Sequence, residues 1–308
     1  MVIVVLVATI ALAGCKKDKE TTEQAIPKGL LCFKTNEEFS DTYQKVLAMS
    51  EAERREWEKQ QGFKSYATKC NELFEAFEAK GINSDQDIYN FVKENSDYFY
   101  IREEDGEKYL SSHLEDSPYR VLANESQLFI INTQLFKLLK DGIVKTCFSN
   151  YDIIKEVTSI TEILQIEEIE VLPTNSCKSI VKKQFRETNG DERTLAEVYI
   201  DYSPITGGWE VTYLIRPYKR TLGVWYWARR TITGEMNTNW RYKKYDGDKW
   251  WTGSTEPFHL TTGVLSYCIE TRIGDLGYRN YSLNTAEFTK IDGWADTPST
   301  DVCYCKLN

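Results

Sequence analysis

Histidine is nearly missing from this chain: His113 and His259 are the only two among 308 residues. That shortage excludes most zinc sites and leaves little to build Ser-His or Cys-His catalysis. His259 lies nine residues before Cys268, but nothing nearby supplies the third, orienting group of a catalytic array. The chain also lacks a GxSxG elbow, a P-loop, an HExxH helix and a dinucleotide GxGxxG. No metal site and no cofactor is expected. A positive charge balance is missing too. The net charge is −9, which argues against general nucleic-acid binding. No repeat of solenoid period occurs, and no alternation of strand and helix points to a parallel α/β core.

Acids are plentiful, yet they name no site. Two carboxylates suffice for glycoside hydrolysis, but 47 Asp and Glu leave the pair unchosen. Glu167, Glu168 and Glu170 form a charge run of the kind that solvates a face. Asp85-Gln86-Asp87 and Asp246-Gly247-Asp248 each match part of a calcium loop without its ligand series. A helix N-terminus explains the first and a turn explains the second.

Long apolar runs are also few. The one at Met1–Ala13 is too short for a membrane span, which needs about 20 residues. It ends in Leu12-Ala13-Gly14-Cys15 and is followed at once by Lys16-Lys17-Asp18-Lys19-Glu20. This pattern resembles the lipobox of bacterial lipoproteins. The resemblance implies cleavage after residue 14 and acylation of Cys15, palmitate being a typical chain. Each buried methylene would contribute about 0.8 kcal/mol to the anchor. No Lys or Arg precedes Val2, so either the start lies inside a longer reading frame or the signal is atypical. Residues 15–28 read as a polar tether. The whole order of parts is similar to uncharacterised Bacteroidota cell-envelope lipoproteins. That likeness implies the outer membrane, surface-facing, with the periplasmic face as the alternative.

Eight cysteines are too few for a disulfide scaffold. Without Cys15 seven remain, an odd number, so one thiol stays free or pairs between chains. Cys303 and Cys305 would share a strand face, and Cys268 with Cys303 is a candidate disulfide. Buried reduced cysteine is the alternative.

The first folded third reads as helical. Thr35-x-x-Glu38 and Ser50-x-x-Glu53 are capping boxes, and Gly62 and Gly81 are stops. Glu51–Gln61 should be a strongly charged helix, and Phe39, Tyr43 and Val46 should line a buried face of the one before it. Strand-like residues start near Tyr98. Asp105-Gly106 and Asn132-Thr133 are expected hairpin turns. From about Cys177, Ala196, Val198, Ile200 and Tyr202 alternate with polar residues, as do Trp209, Val211, Tyr213 and Ile215. The expected fold is α+β. Residues 29–170 would form a helical domain with hairpins. Residues 171–308 would form an antiparallel β-sandwich, immunoglobulin-like or similar.

The strongest local anomaly runs from Arg216 to Trp250. It carries nine Arg or Lys against Glu235, Asp246 and Asp248, inside an acidic chain, and is rich in tryptophan. Trp225, Trp227 and Arg229 would share one strand face, and Trp240 and Tyr242 another. Exposed rings beside cations can stack on sugars while Arg grips sulfate or carboxylate. Burial of the same rings in a core is the competing reading. The thin chemical inventory favours a non-catalytic, lipid-anchored binding module over an enzyme. Its ligand would be extracellular, an anionic glycan or an envelope protein. A carboxylate-dependent hydrolase of polysaccharide or peptidoglycan and a structural envelope subunit are the alternatives.

Overall fold

In the computed structural model of the chain, residues 26–115, 117–163, 168–172, 181–203, 205, 208–244, 249–255, 258–261, 269–275, 283–297 and 304–307 are described. Cys15, Cys268 and Cys303 lie outside them. A short strand, β1 (Cys32–Phe33), precedes four helices: α1 (Asn36–Leu47), α2 (Glu51–Gln61), α3 (Tyr66–Ala79) and α4 (Asp85–Glu94). The caps act as their chemistry demands. Thr35 Oγ1 accepts from the Glu38 amide at 3.1 Å. Ser50 and Glu53 satisfy each other's backbone N–H groups, and so do Ser84 and Asp87. Gly62 closes α2 with φ 70°, a conformation that favours glycine. No helix among the described residues is long and apolar enough to cross a membrane.

Next come β2 (Phe99–Glu104), β3 (Glu107–Ser112), β4 (Leu128–Ile131), β5 (Gln134–Leu139) and β6 (Gly142–Cys147). A short helix α5 (Tyr151–Ile154) and β7 (Glu170–Leu172) follow. The remaining strands are β8 (Val181–Asn189), β9 (Glu192–Ser203), β10 (Gly208–Thr221), β11 (Val224–Trp227) and β12 (Thr233–Lys244). They continue as β13 (Trp250–Ser254), β14 (Phe258–Thr261), β15 (Ile269–Asp275), β16 (Leu283–Asp296) and β17 (Tyr304–Leu307). The fold is α+β.

Three sheets form. The first runs β1-β4-β5-β6-β7, the second β2-β3-β11-β10-β9-β8 with β15 also on β10, and the third β13-β12-β16-β17 with β14 also on β12. The turn at Asp105-Gly106, with φ 53° and 76°, joins β2 to β3 as expected from its sequence. Asn132-Thr133 likewise joins β4 to β5.

The inward residues of β9 and β10 named from alternation share one core. Ala196, Val198, Ile200, Tyr202, Trp209, Val211, Tyr213 and Ile215 pack with Met236, Trp240 and Tyr242 of β12 and Ala286 and Ala295 of β16. The second and third sheets therefore bury a common apolar layer.

Two features depart from the sequence expectation. Pairing is not antiparallel throughout, because β11 runs parallel to β3, with Trp225 opposite Tyr109. The helices also have no core of their own. Phe39, Tyr66, Phe74, Phe77, Ile88 and Phe91 share a single core with Phe99 and Tyr109 and with Trp225, Tyr226 and Trp227. A sheet and a core thus both cross the boundary expected at residue 170, which itself falls on β7. The physical reason lies in β10 and β11. Tyr218 at the end of β10 and Val224, Trp225, Tyr226 and Trp227 of β11 are apolar and pack into the core of the helical layer.

Candidate functional site

The structure divides the basic, tryptophan-rich segment into two parts with different fates. The first part, on β10 and β11, turns inward. Trp225 is 1% exposed. Its indole Nε1 donates to Glu107 Oε1 at 3.0 Å, and the guanidinium groups of Arg193 and Arg220 lie over its ring at 3.9 and 4.9 Å. Trp227 packs against Phe74 and Phe99. The cations here meet carboxylates. Arg229 reaches back to the helices, 3.3 Å from Glu75 and 3.9 Å from Glu51. Arg230 pairs with Glu192 at 2.6 Å, and Arg220 with Asp191 at 3.3 Å. Of these, Arg229 joins the strands to the helical layer.

Trp240 and Tyr242 are buried too, in the core between the second and third sheets. The Trp240 ring crosses β13 so closely that a Cβ at Gly253 would sit 2.6 Å from it. The aromatic platform expected on Trp225, Trp227, Trp240 and Tyr242 is therefore not at the surface, and these residues are brought into two different cores. Trp is large and apolar, and where a core is within reach, burial wins.

The second part, on β12 and β13, turns outward. Along β12, Trp240 and Tyr242 face the core, so Arg241 and Lys243 face away from it. Trp250 stands directly opposite Lys243 in the register. The Arg241 guanidinium lies 4.4 Å from the centre of the Trp250 ring and the Lys243 ammonium 5.0 Å from it. Trp251, on the other face of the strand, is 42% exposed with Lys249 Nζ 5.0 Å from its ring. Glu287, opposite Arg241 on β16, binds the Nε edge of that guanidinium.

Among the described residues, Lys243 and Lys249 meet no carboxylate, and both Nη atoms of Arg241 have no hydrogen-bond partner. Cations held over rings rather than neutralised by acids keep their field available to an anion. Trp250, Trp251 and Lys249 were not singled out by spacing. One signal was present in the sequence: adjacent tryptophans in a strand point to opposite faces, so both cannot enter one core.

The described residues hold no His, Cys, Asp and Glu cluster fit for a metal ion. His259 is exposed and lies 3.5 Å from Glu235. Two carboxylates, Glu115 and Glu197, lie buried around Arg216, at 3.3 and 3.9 Å from its Nη1. Each is already engaged. Tyr218 donates to Glu115 at 3.0 Å, and Lys182 and Gln184 bind Glu197 at 2.7 and 2.8 Å. Burial pushes the Cys70 thiol up to about 12 and the Cys32 thiol to about 11, which makes both poor nucleophiles. Cys147 is in a disulfide.

No family model matches the chain, and no curated protein matches it. Among solved structures, it is similar to a DUF4848 family protein from Bacteroides thetaiotaomicron, at 13% identity and a TM-score of 0.32. The match covers 90% of this chain and 96% of that one.

Proposed function

We propose that this protein is a lipid-anchored, non-catalytic binding module of the cell envelope, held in the outer membrane by acylated Cys15, and that its ligand is an anionic glycan. One observation carries the reading: Lys243 and Lys249 lie over the partly exposed rings of Trp250 and Trp251 and meet no acid among the described residues, and Arg241, over Trp250, has only its Nε edge taken by Glu287. An indole offers an apolar face to a sugar ring, and the neighbouring cation takes its carboxylate or sulfate. The disulfide at Cys147 fits an oxidising compartment outside the cytoplasm. The apolar layer shared by the second and third sheets fits a β-sandwich, the finer description of this fold. Such a scaffold presents the site on a strand at the margin of its sheet.

The test is a glycan array probed with the full chain in detergent, at low and physiological salt. Acidic glycans should bind, and binding should weaken as salt rises. Trp250→Ala and Arg241→Ala should each lower that binding by about tenfold or more, the loss of one good charge-assisted or stacking contact. Retained binding in both folded variants would overturn the reading.

A further inference from the structure

We infer that Glu287 is the specificity-determining residue of this site, tuning it to a sparsely charged uronate polymer and against densely sulfated chains. The inference rests on the proposed glycan reading and adds the class of glycan. Its basis is the arrangement on the outer face of β12. Arg241 has a planar fork with two usable edges. Glu287 occupies the Nε edge from the neighbouring strand β16, in direct register. The Nη atoms remain for a ligand, beside the Lys243 ammonium over the same Trp250 ring.

One planar oxyanion can be gripped by the Nη edge of Arg241 and approached by Lys243, while its sugar ring lies along the indole. A second oxyanion close to the first would face the Glu287 carboxylate. Like charges brought together in this way suppress the wrong partner. The carboxylate is half exposed, 44% for its side chain, so it meets an incoming ligand rather than being sealed beneath the surface. Its pairing with Arg241 also fixes the guanidinium over the ring, which makes Glu287 a positioning residue as well as a repulsive one.

The experiment compares hyaluronan, with one carboxylate per disaccharide, and heparin, with several sulfates, as ligands of the full chain in detergent. Titration calorimetry at low salt is run on the wild type, Glu287→Gln and Asp292→Asn. Asp292 is an exposed acid on the same strand, 3.7 Å from Lys290, and controls for net charge. The wild type should prefer hyaluronan. Glu287→Gln should raise the ratio of heparin affinity to hyaluronan affinity by about tenfold or more, the scale of one like-charge contact removed. Asp292→Asn should change neither. Glu287→Ala serves in place of the glutamine variant should that one not fold. An unchanged ratio, or the same rise in Asp292→Asn, would each overturn the role of Glu287 while leaving glycan binding intact. A wild type that binds neither polymer would instead overturn the binding function on which the inference stands.

Discussion

Glu107 ties three strands of the second sheet, β3, β9 and β11, with one carboxylate. It accepts from Arg193 Nη1 at 2.7 Å, from Trp225 Nε1 at 3.0 Å and from Tyr109 OH at 2.9 Å. Those bonds, the one from Arg193 foremost, draw its pKa down to about 2 from an ordinary 4.5. A carboxyl group more acidic in the folded state stabilises the fold above its unfolded value, and that contribution disappears as pH falls toward the folded one. Thermal melts should therefore show stability falling between about pH 4.5 and 2, with a shallower fall in Glu107→Gln. Lys137 titrates in the opposite region. Buried in β5, its ammonium donates to the carbonyls of Ser126 at 2.8 Å and Lys155 at 3.1 Å. Desolvation lowers it to about 8 from 10.5. The unfolded chain thus binds more protons in that window, and stability should rise from pH 8 to 10.5. Lys137→Met should remove the rise in denaturant titrations. Trp225→Ala should cost about 3–5 kcal/mol, the usual loss for a large core ring, measured by the same titrations.

At the level of elements, Gly253 is where side-chain volume on β13 is forbidden. The ring of Trp240 occupies the space that a Cβ would need. Gly253→Ala should destabilise by about 1–3 kcal/mol through overpacking and should also shift Trp250 and Trp251, so glycan binding should fall with stability. Helix ends were legible because a cap is local chemistry: Thr35 with Glu38 and Ser50 with Glu53 mark their helices before any packing is known. The inward residues of β9 and β10 were legible for a similar reason, since a period of two sorts each strand into faces. What alternation does not show is what lies over the second face. Trp225 and Trp227 read as candidates for solvent because the helical layer that covers them comes more than a hundred residues earlier. The surface proposed to bind, with Trp250 and Trp251, lies at the end of the same segment. Only the path of β12 shows that Arg241 and Lys243 point away from the core while Trp240 and Tyr242 point into it.

Over the whole molecule, the helical region and the strand-rich region depend on each other. The helices bury Phe74, Phe77 and Phe91 against Tyr226, Trp227 and Phe99. The second sheet takes two of its strands, β2 and β3, from before residue 113. Cutting the chain at residue 170 should leave neither piece folded. Fragments 29–170 and 171–308 expressed separately should lack dispersed amide resonances, and a mixture should recover them only if the pieces reassociate. A dispersed spectrum from either fragment alone would contradict this dependence. The ion pairs of Arg229 with Glu75 and Arg216 with Glu115 lie across the same seam.

The parallel pairing of β3 with β11 also sets an order of events in time. During synthesis the hairpin of β2 and β3 emerges long before Val224 and Trp225, its partners, exist. Until they arrive, β3 has an open edge and the helices have an uncovered apolar face. Long-range pairing of this kind slows folding and leaves intermediates prone to aggregate. The nascent chain would spend that interval as a client for a holding chaperone.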